Sequence, residues 1–291
     1  MDILTNYTFQ IVALGSVLLA VAAAPVGAFS LYKGQSLIGD AIGHSTFPGI
    51  ILAYMAFATR SPVILLAGAI LAGAASYALI QLAHRDKRLG LDANLAIFLS
   101  GFFGLGMALK SFIQGNPDYA GASQAGLGTY IFGQAAYMLE ADVLLIAAIS
   151  ALVLTLLLLF YKELKLFVFD AEYAEVVGLP CRLLNLLLLV MTIAVIGIGI
   201  KAVGAILISS FLIIPCVAAN QWSNNFARVL LLSSLIGAVS ALVGTYISTL
   251  EQGMSTGPSI ILVTSLIAFF SIVFGTKGIL GSVLKRRRTH G

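Results

Sequence analysis

The feature that most constrains this chain is a succession of long apolar runs separated by short polar breaks. Nine can be traced, at about 8–31, 36–58, 62–83, 92–112, 140–161, 183–200, 202–219, 227–249 and 258–275. Each is long enough, or nearly so, to cross a bilayer core about 30 Å thick as a helix of about 20 residues. In lipid every backbone N–H and C=O must be satisfied internally, which leaves helices and closed barrels. The runs are continuous and not alternating, so a barrel is excluded. The expectation is an all-α, polytopic helical bundle of about nine transmembrane segments, with residues 1–291 forming one transmembrane domain. Composition agrees, with 60% of residues hydrophobic and 10% charged, against about 25% charged in soluble domains. The first run leads straight into others without a basic flank, so no signal peptide is needed to explain it. Gly197, Gly199, Lys201 and Gly204 suggest a tight turn between the sixth and seventh runs, and one long bent helix is the competing reading.

The basic residues orient the bundle. If His84–Arg88 is cytoplasmic, alternation puts thirteen of the sixteen Lys and Arg inside, leaving Arg60, Lys110 and Lys201 outside. The N-terminus is then out, the C-terminus in, and the number of spans odd. The net charge of +4 is carried by short loops and the C-terminal Lys285-Arg-Arg-Arg288, which suits anionic lipid and not nucleic acid. Cys181 and Cys216 share no metal-type spacing and read as packing residues.

Asp40 and His44 break the apolar pattern of the second run. Of the twelve acidic residues, Asp40 alone lies well inside such a run. Residues four apart share a helix face, so the pair points one way. A charged side chain at the bilayer centre costs roughly 2.5–3.5 kcal/mol on insertion scales, so that face turns to the bundle or to a watery path. A carboxylate and an imidazole so placed can hold a divalent cation, relay a proton, or hydrogen-bond to each other as a structural pair. Ser36 is placed to cap this helix. Gly39 and Gly43 admit a neighbouring helix, and Pro48-Gly49 predict a bend or break beside the pair. Pro25 and Gly27 predict a packing kink in the first run, and Gly101, Gly104 and Gly106 predict close approach in the fourth.

Two stretches do not span. Residues 113–139 are Gly-rich and semi-polar, and three readings stand: a partly re-entrant helix, an external docking surface, or a structured loop with interfacial tyrosines. Phe169–Pro180 reads as a short helix capped by Asp170 and stopped by Gly178-Leu179-Pro180. It can hand force from a soluble partner to the bundle, or merely connect two spans at the interface.

Taken together, Leu31–Gly49 with Asp40 and His44 resembles the signature of the zinc/manganese/iron class of ABC importer permeases. Phe169-Asp170-Ala-Glu172-Tyr173-Ala174 through Gly178-Leu-Pro is similar to that family's cytoplasmic coupling segment. Ala202-Val-Gly204 through Pro215 and Thr256-Gly-Pro-Ser259 match two further stretches in order. The resemblance implies a multi-pass permease subunit of the bacterial cytoplasmic membrane. It implies a second permease copy or paralogue, a cytoplasmic ABC ATPase dimer, and an extracytoplasmic metal-binding lipoprotein. It makes Asp40 and His44 a transient site for the transported metal. It makes Asp170, Ala171, Glu172, Tyr173, Ala174 and Gly178, within a coupling segment at about 166–181, the ATPase contact. Residues 113–139 would face the binding protein. Phe132-Gly-Gln-Ala135 resembles the manganese/iron branch more than the zinc branch. No permanent cofactor is implied, only a transported Mn, Zn or Fe ion. The chain has no Gly-x-x-x-x-Gly-Lys-Ser/Thr phosphate loop, so ATP hydrolysis falls to a partner and the chain is not itself an enzyme. The alternative is a proton-coupled secondary metal transporter with Asp40 and His44 as relay. It leaves the acidic helix without a task, and no internal repeat of the kind common in such transporters is evident. An intramembrane metalloprotease would need a His-Glu-x-x-His set, which is absent.

Overall fold

A computed structural model describes residues 6–59, 61–84, 90–116, 119, 138–250 and 254–279. Among them are eleven helices: α1 (Tyr7–Tyr32), α2 (Ile38–Phe57), α3 (Pro62–His84), α4 (Leu91–Gly115), α5 (Glu140–Leu159), α6 (Tyr161–Phe169), α7 (Ala171–Val176), α8 (Cys181–Val203), α9 (Ala205–Asn220), α10 (Phe226–Leu250) and α11 (Thr256–Phe274). Every one of the nine apolar runs coincides with a helix. Seven of these are long and apolar enough to cross a membrane. α2 is not among the seven, its apolar residues being diluted by Asp40, His44, Ser45 and Thr46. α9 has only 16 residues, about 24 Å at 1.5 Å per residue. The readings for residues 120–137, for Arg85–Arg88 and for the C-terminal basic run lie outside the described residues.

The helices pack in two groups. α2 lies against α3 and α4, while α1, α9, α10 and α11 form the other body, with α5 against α1. α8 touches both groups, and α9 crosses from the second to meet α2. Without a hydrophobic drive between helices in lipid, small residues set such contacts. At the α2–α3 crossing, a Cβ on Gly49 would lie 2.1 Å from the Gly68 carbonyl oxygen, so the backbones touch where both residues are glycine. Ser45 on α2 donates to Ala41 O at 2.6 Å and lies 2.8 Å from the Ser76 hydroxyl on α3.

The helix breaks at Gly204, whose φ of +87° favours glycine and separates α8 from α9. Gly197 and Gly199 lie inside α8. Pro25 sits buried within α1. Its ring removes the bond to the carbonyl of Val21, and Ser234 of α10 donates to that oxygen at 3.2 Å.

Three expectations fail. Ser36 does not cap α2: the capping position is Leu37, with no side-chain bond. The chain turns tightly there, with Gly34 at φ +75°, and the backbone of Gln35 and Leu37 supplies the first carbonyls. Of the bend or break expected at Pro48-Gly49, the break does not occur: α2 runs through Pro48 as one helix, because one missing N–H is tolerated where neighbouring helices hold the rest. Gly106 does sit close, its Cβ direction meeting Phe47 at 2.5 Å, but Gly101 and Gly104 meet no described atom within 4 Å. α4 turns those two away from the bundle, consistent with its largely exposed apolar surface.

Candidate functional site

Asp40 enters in the first turn of α2, where the helix dipole favours a carboxylate. One turn on, His44 Nε2 lies 3.4 Å from Asp40 Oδ1, so the two side chains do share a face, as their spacing requires. Neither is sealed: 31% of the Asp40 side chain and 18% of that of His44 are accessible. The imidazole stands edge-on to Phe103 of α4, ring centroids 5.0 Å apart at 84°. That contact fixes the plane of His44 from the α4 side.

The opposite wall comes from α9. Ser209 on α9, only 7% exposed, stands near the Asp40 carboxylate. Three residues further along, Leu212 is wedged between α1 and α2. A Cβ on Gly27 would lie 1.8 Å from the Leu212 carbonyl oxygen, and one on Gly39 would lie 2.6 Å from its Cδ1. Gly39 thus does what its place in the sequence suggested, and its partner is α9.

The second candidate region is the α6–α7 segment. Asp170 Oδ1 accepts from the Tyr173 backbone N–H at 2.9 Å, so Asp170 is the cap that the sequence indicated. Gly178, at φ +87°, ends the segment, with Leu179 N–H returning to Ala174 O at 3.0 Å. Glu172, Tyr173, Glu175, Val176 and Val177 are exposed, while Ala174 is buried. α6 precedes α7 as a helix that buries Leu164, Phe167 and Val168 at three- and four-residue spacing. Its aromatic residues join a cluster centred on Phe226 of α10. Phe29, Tyr32 and Phe169 stand edge-on to that ring at 4.9, 5.1 and 5.2 Å, and Tyr161 stacks at 6.3 Å. The segment is therefore tied to α1, which reaches α9 through Gly27 and Leu212.

Asp40 and His44 are the acidic and imidazole groups of this seam, and no group of three or more His, Cys, Asp or Glu able to hold a metal occurs among the described residues. Both cysteines are buried and free, as packing residues would be. The described residues thus form a multi-helix apolar bundle with a carboxylate–imidazole pair at the seam of its halves and an exposed capped helix joined through α6 to α1.

The profile of the ABC 3 transport family matches residues 5–275, and the chain belongs to that family. It is 39% identical to the zinc transport system membrane protein TroC of Treponema pallidum over 99% of this chain and 96% of the relative. It is also 39% identical to the manganese transport system membrane protein MntC of Bacillus subtilis, over 96% of this chain and 65% of that relative. Among solved structures it is similar to a chain of PsaBC from Streptococcus pneumoniae in complex with Fab. There the TM-score is 0.81 and the identity 26%, over 94% of each chain. The protein is thus a metal ABC transporter permease, a multi-pass protein of the bacterial inner membrane and not an enzyme. ATP hydrolysis resides in a separate subunit.

Proposed function

We infer that this permease imports a divalent transition metal, with manganese preferred to zinc or iron, and that Asp40 and His44 form the transient site on its path. Two permease copies, identical or paralogous, would pair, and an extracytoplasmic binding protein would deliver the ion. The N-terminus would be outside, the C-terminus inside, and the chain would cross nine times as one domain. The observation that carries the reading is the Asp40–His44 pair. A carboxylate and an imidazole share one face, partly accessible, at the junction of two helix groups. A site of two protein donors suits transport, because an ion held by a closed ligand set does not leave. Carboxylate oxygen with one imidazole nitrogen suits Mn²⁺, Fe²⁺ or Zn²⁺, and no thiolate lies near the pair in sequence.

The α6–α7 segment, about 166–181, would be the ATPase contact, with Asp170, Ala171, Glu172, Tyr173, Ala174 and Gly178 shaping it. Exposed Tyr173, Val176 and Val177 supply an apolar knob, and the rings around Phe226 supply the linkage to α1. The test is uptake of radioactive Mn²⁺ and Zn²⁺ by cells lacking their own importers, with this chain alone and with its ATPase. Uptake is expected only with the ATPase, at a higher rate for Mn²⁺. Asp40→Asn and His44→Ala are expected to abolish uptake while the complex still assembles. Uptake by the chain alone, or normal uptake by both variants, overturns the reading.

A further inference from the structure

Lys33 carries a positive charge into a packed end of the bundle. It follows α1 directly, where Gly34 at φ +75° turns the chain toward α2. Among the described residues no carboxylate forms an ion pair with it. A buried charge is normally paired, and here an amide and a ring take the place of a counter-ion. Lys33 Nζ donates to Asn185 Oδ1 of α8, and Asn185 Nδ2 donates to the Tyr77 hydroxyl of α3 at 3.1 Å. Nζ also lies 4.9 Å from the centre of the Phe167 ring of α6, within cation–π range. Tyr77 and Phe167 are both buried, so packing fixes the two rings. These contacts cross the molecule. They tie the end of α1 to α8, and through Asn185 to α3, which packs with α2 in the other helix group. Two small voids lie between them and the Asp40–His44 pair. One reaches Gly39, next to Asp40, the other reaches Tyr77 and Asn185, and Ser30 and Thr192 line both.

Resting on the readings of Asp40 and His44 as the metal site and of the α6–α7 segment as the ATPase contact, we propose that Lys33 is a charged latch that closes the metal path on the ATPase side and opens when α6 moves. An ammonium at that end repels a divalent ion leaving Asp40, and the repulsion is strong where little water screens it. Burial lowers the Lys33 pKa only to about 8, so the charge is kept at pH 7. The latch also closes mechanically. While Lys33, Asn185 and Tyr77 stay joined, the two helix groups are held together at this end. Phe167 supplies the release, because it belongs to the helix that leads into the ATPase contact. A displaced α6 withdraws the ring from the ammonium, and the flexible four-carbon stem of lysine lets the charge swing to water.

The experiment uses the reconstituted permease–ATPase complex in proteoliposomes loaded with Mn²⁺. Without nucleotide the parent is expected to hold its Mn²⁺. Lys33→Met keeps a long stem and removes the charge. It is expected to release Mn²⁺ about tenfold faster or more, the scale of one lost hydrogen bond to a charged group, and to move fewer ions per ATP. Lys33→Arg keeps the charge and is expected to leak far less than Lys33→Met. Asn185→Leu keeps the lysine but cuts the link to Tyr77, and is expected to leak faster than the parent. A second measurement uses the parent alone and so does not depend on any variant folding. Acylation of the Lys33 amine by a water-soluble reagent, read by mass spectrometry, is expected to be slow without nucleotide. With ATP and vanadate it is expected to quicken by about tenfold. If Lys33→Met is as tight as the parent and moves as many ions per ATP, or if Lys33 is acylated equally with and without nucleotide, Lys33 is only an anchor for the turn between α1 and α2 and the inference fails. The metal-site reading is tested apart, by uptake in Asp40→Asn, and the acylation of Lys33 in the parent does not depend on that result.

Discussion

Gly27→Ala is the sharpest perturbation of the seam. Its new Cβ would begin 1.8 Å from the Leu212 carbonyl oxygen and 2.5 Å from the Leu212 Cα. These are backbone atoms, so no rotamer change relieves the overlap. Passing from 1.8 Å to ordinary contact at 3.4 Å requires α1 and α9 to part by about 1.6 Å. Overpacking of this kind costs about 1–3 kcal/mol. Leu212 also packs against Gly39, the neighbour of Asp40, so a displaced α9 disturbs the turn of α2 that carries the acid. The purified complex is expected to melt several degrees lower, and Mn²⁺ uptake in proteoliposomes to show a KM raised about tenfold or more. Gly101→Ala and Gly104→Ala are the controls, since a Cβ at either meets no described atom within 4 Å. Alanine is a better helix former than glycine by about 1 kcal/mol, so both controls are expected to match the parent or exceed it. If Gly27→Ala melts and transports like Gly101→Ala, the close α1–α9 contact does not position the site, and the reasoning from it collapses.

Phe226→Ala empties the centre of the aromatic cluster. A cost of about 3–5 kcal/mol is expected, together with ATPase turnover retained while the ions moved per ATP fall. Asp170→Ala removes the cap of α7, for about 1 kcal/mol of local stability; amide hydrogen exchange of residues 171–176 is expected to quicken, and that of α6 to stay unchanged. Ser234→Ala leaves the carbonyl that Pro25 exposes without its donor, and a loss of about 1–3 kcal/mol in thermal melting is expected, with the Mn²⁺:Zn²⁺ uptake ratio unmoved. Lys33, just past the end of α1, hydrogen-bonds to Asn185 and lies over Phe167, and burial lowers its pKa to about 8. Its burial penalty is therefore full below about pH 8 and is relieved as pH rises toward the ordinary lysine range. Lys33→Met is expected to gain stability over the parent at pH 7 and to lose that advantage by pH 10 in melting experiments.

The helices were legible because each apolar run is bounded by chemistry the chain spells out: Lys33-Gly34, Ser61-Pro62, Gly178-Leu-Pro180 and Ser255-Thr-Gly-Pro258. Asp40 and His44 were legible because a charge in an apolar run is expensive. What the sequence hid was contact between runs. Leu212 looks like any apolar residue of a membrane helix until α9 is set against α1 and α2, where it fills the space left by Gly27 and Gly39. Gly27 and Gly101 look alike as letters, yet one faces a backbone and the other faces away. α6 is not among the helices the sequence suggests, because Lys162, Glu163 and Lys165 interrupt the apolar run, although Leu164, Phe167 and Val168 carry the spacing of a half-buried helix.

From Ala22 to Ser30 every residue of α1 is buried, about two and a half turns with no side open to lipid. A rod enclosed on every side cannot slide or tilt by itself. A push delivered at its Phe29 and Tyr32 end must be taken up by α9 and α10 in the same instant. Under the proposed coupling, any movement of α1 would carry α9 and α10 with it, and a change in bilayer thickness would bear first on the exposed helices α3, α4 and α5.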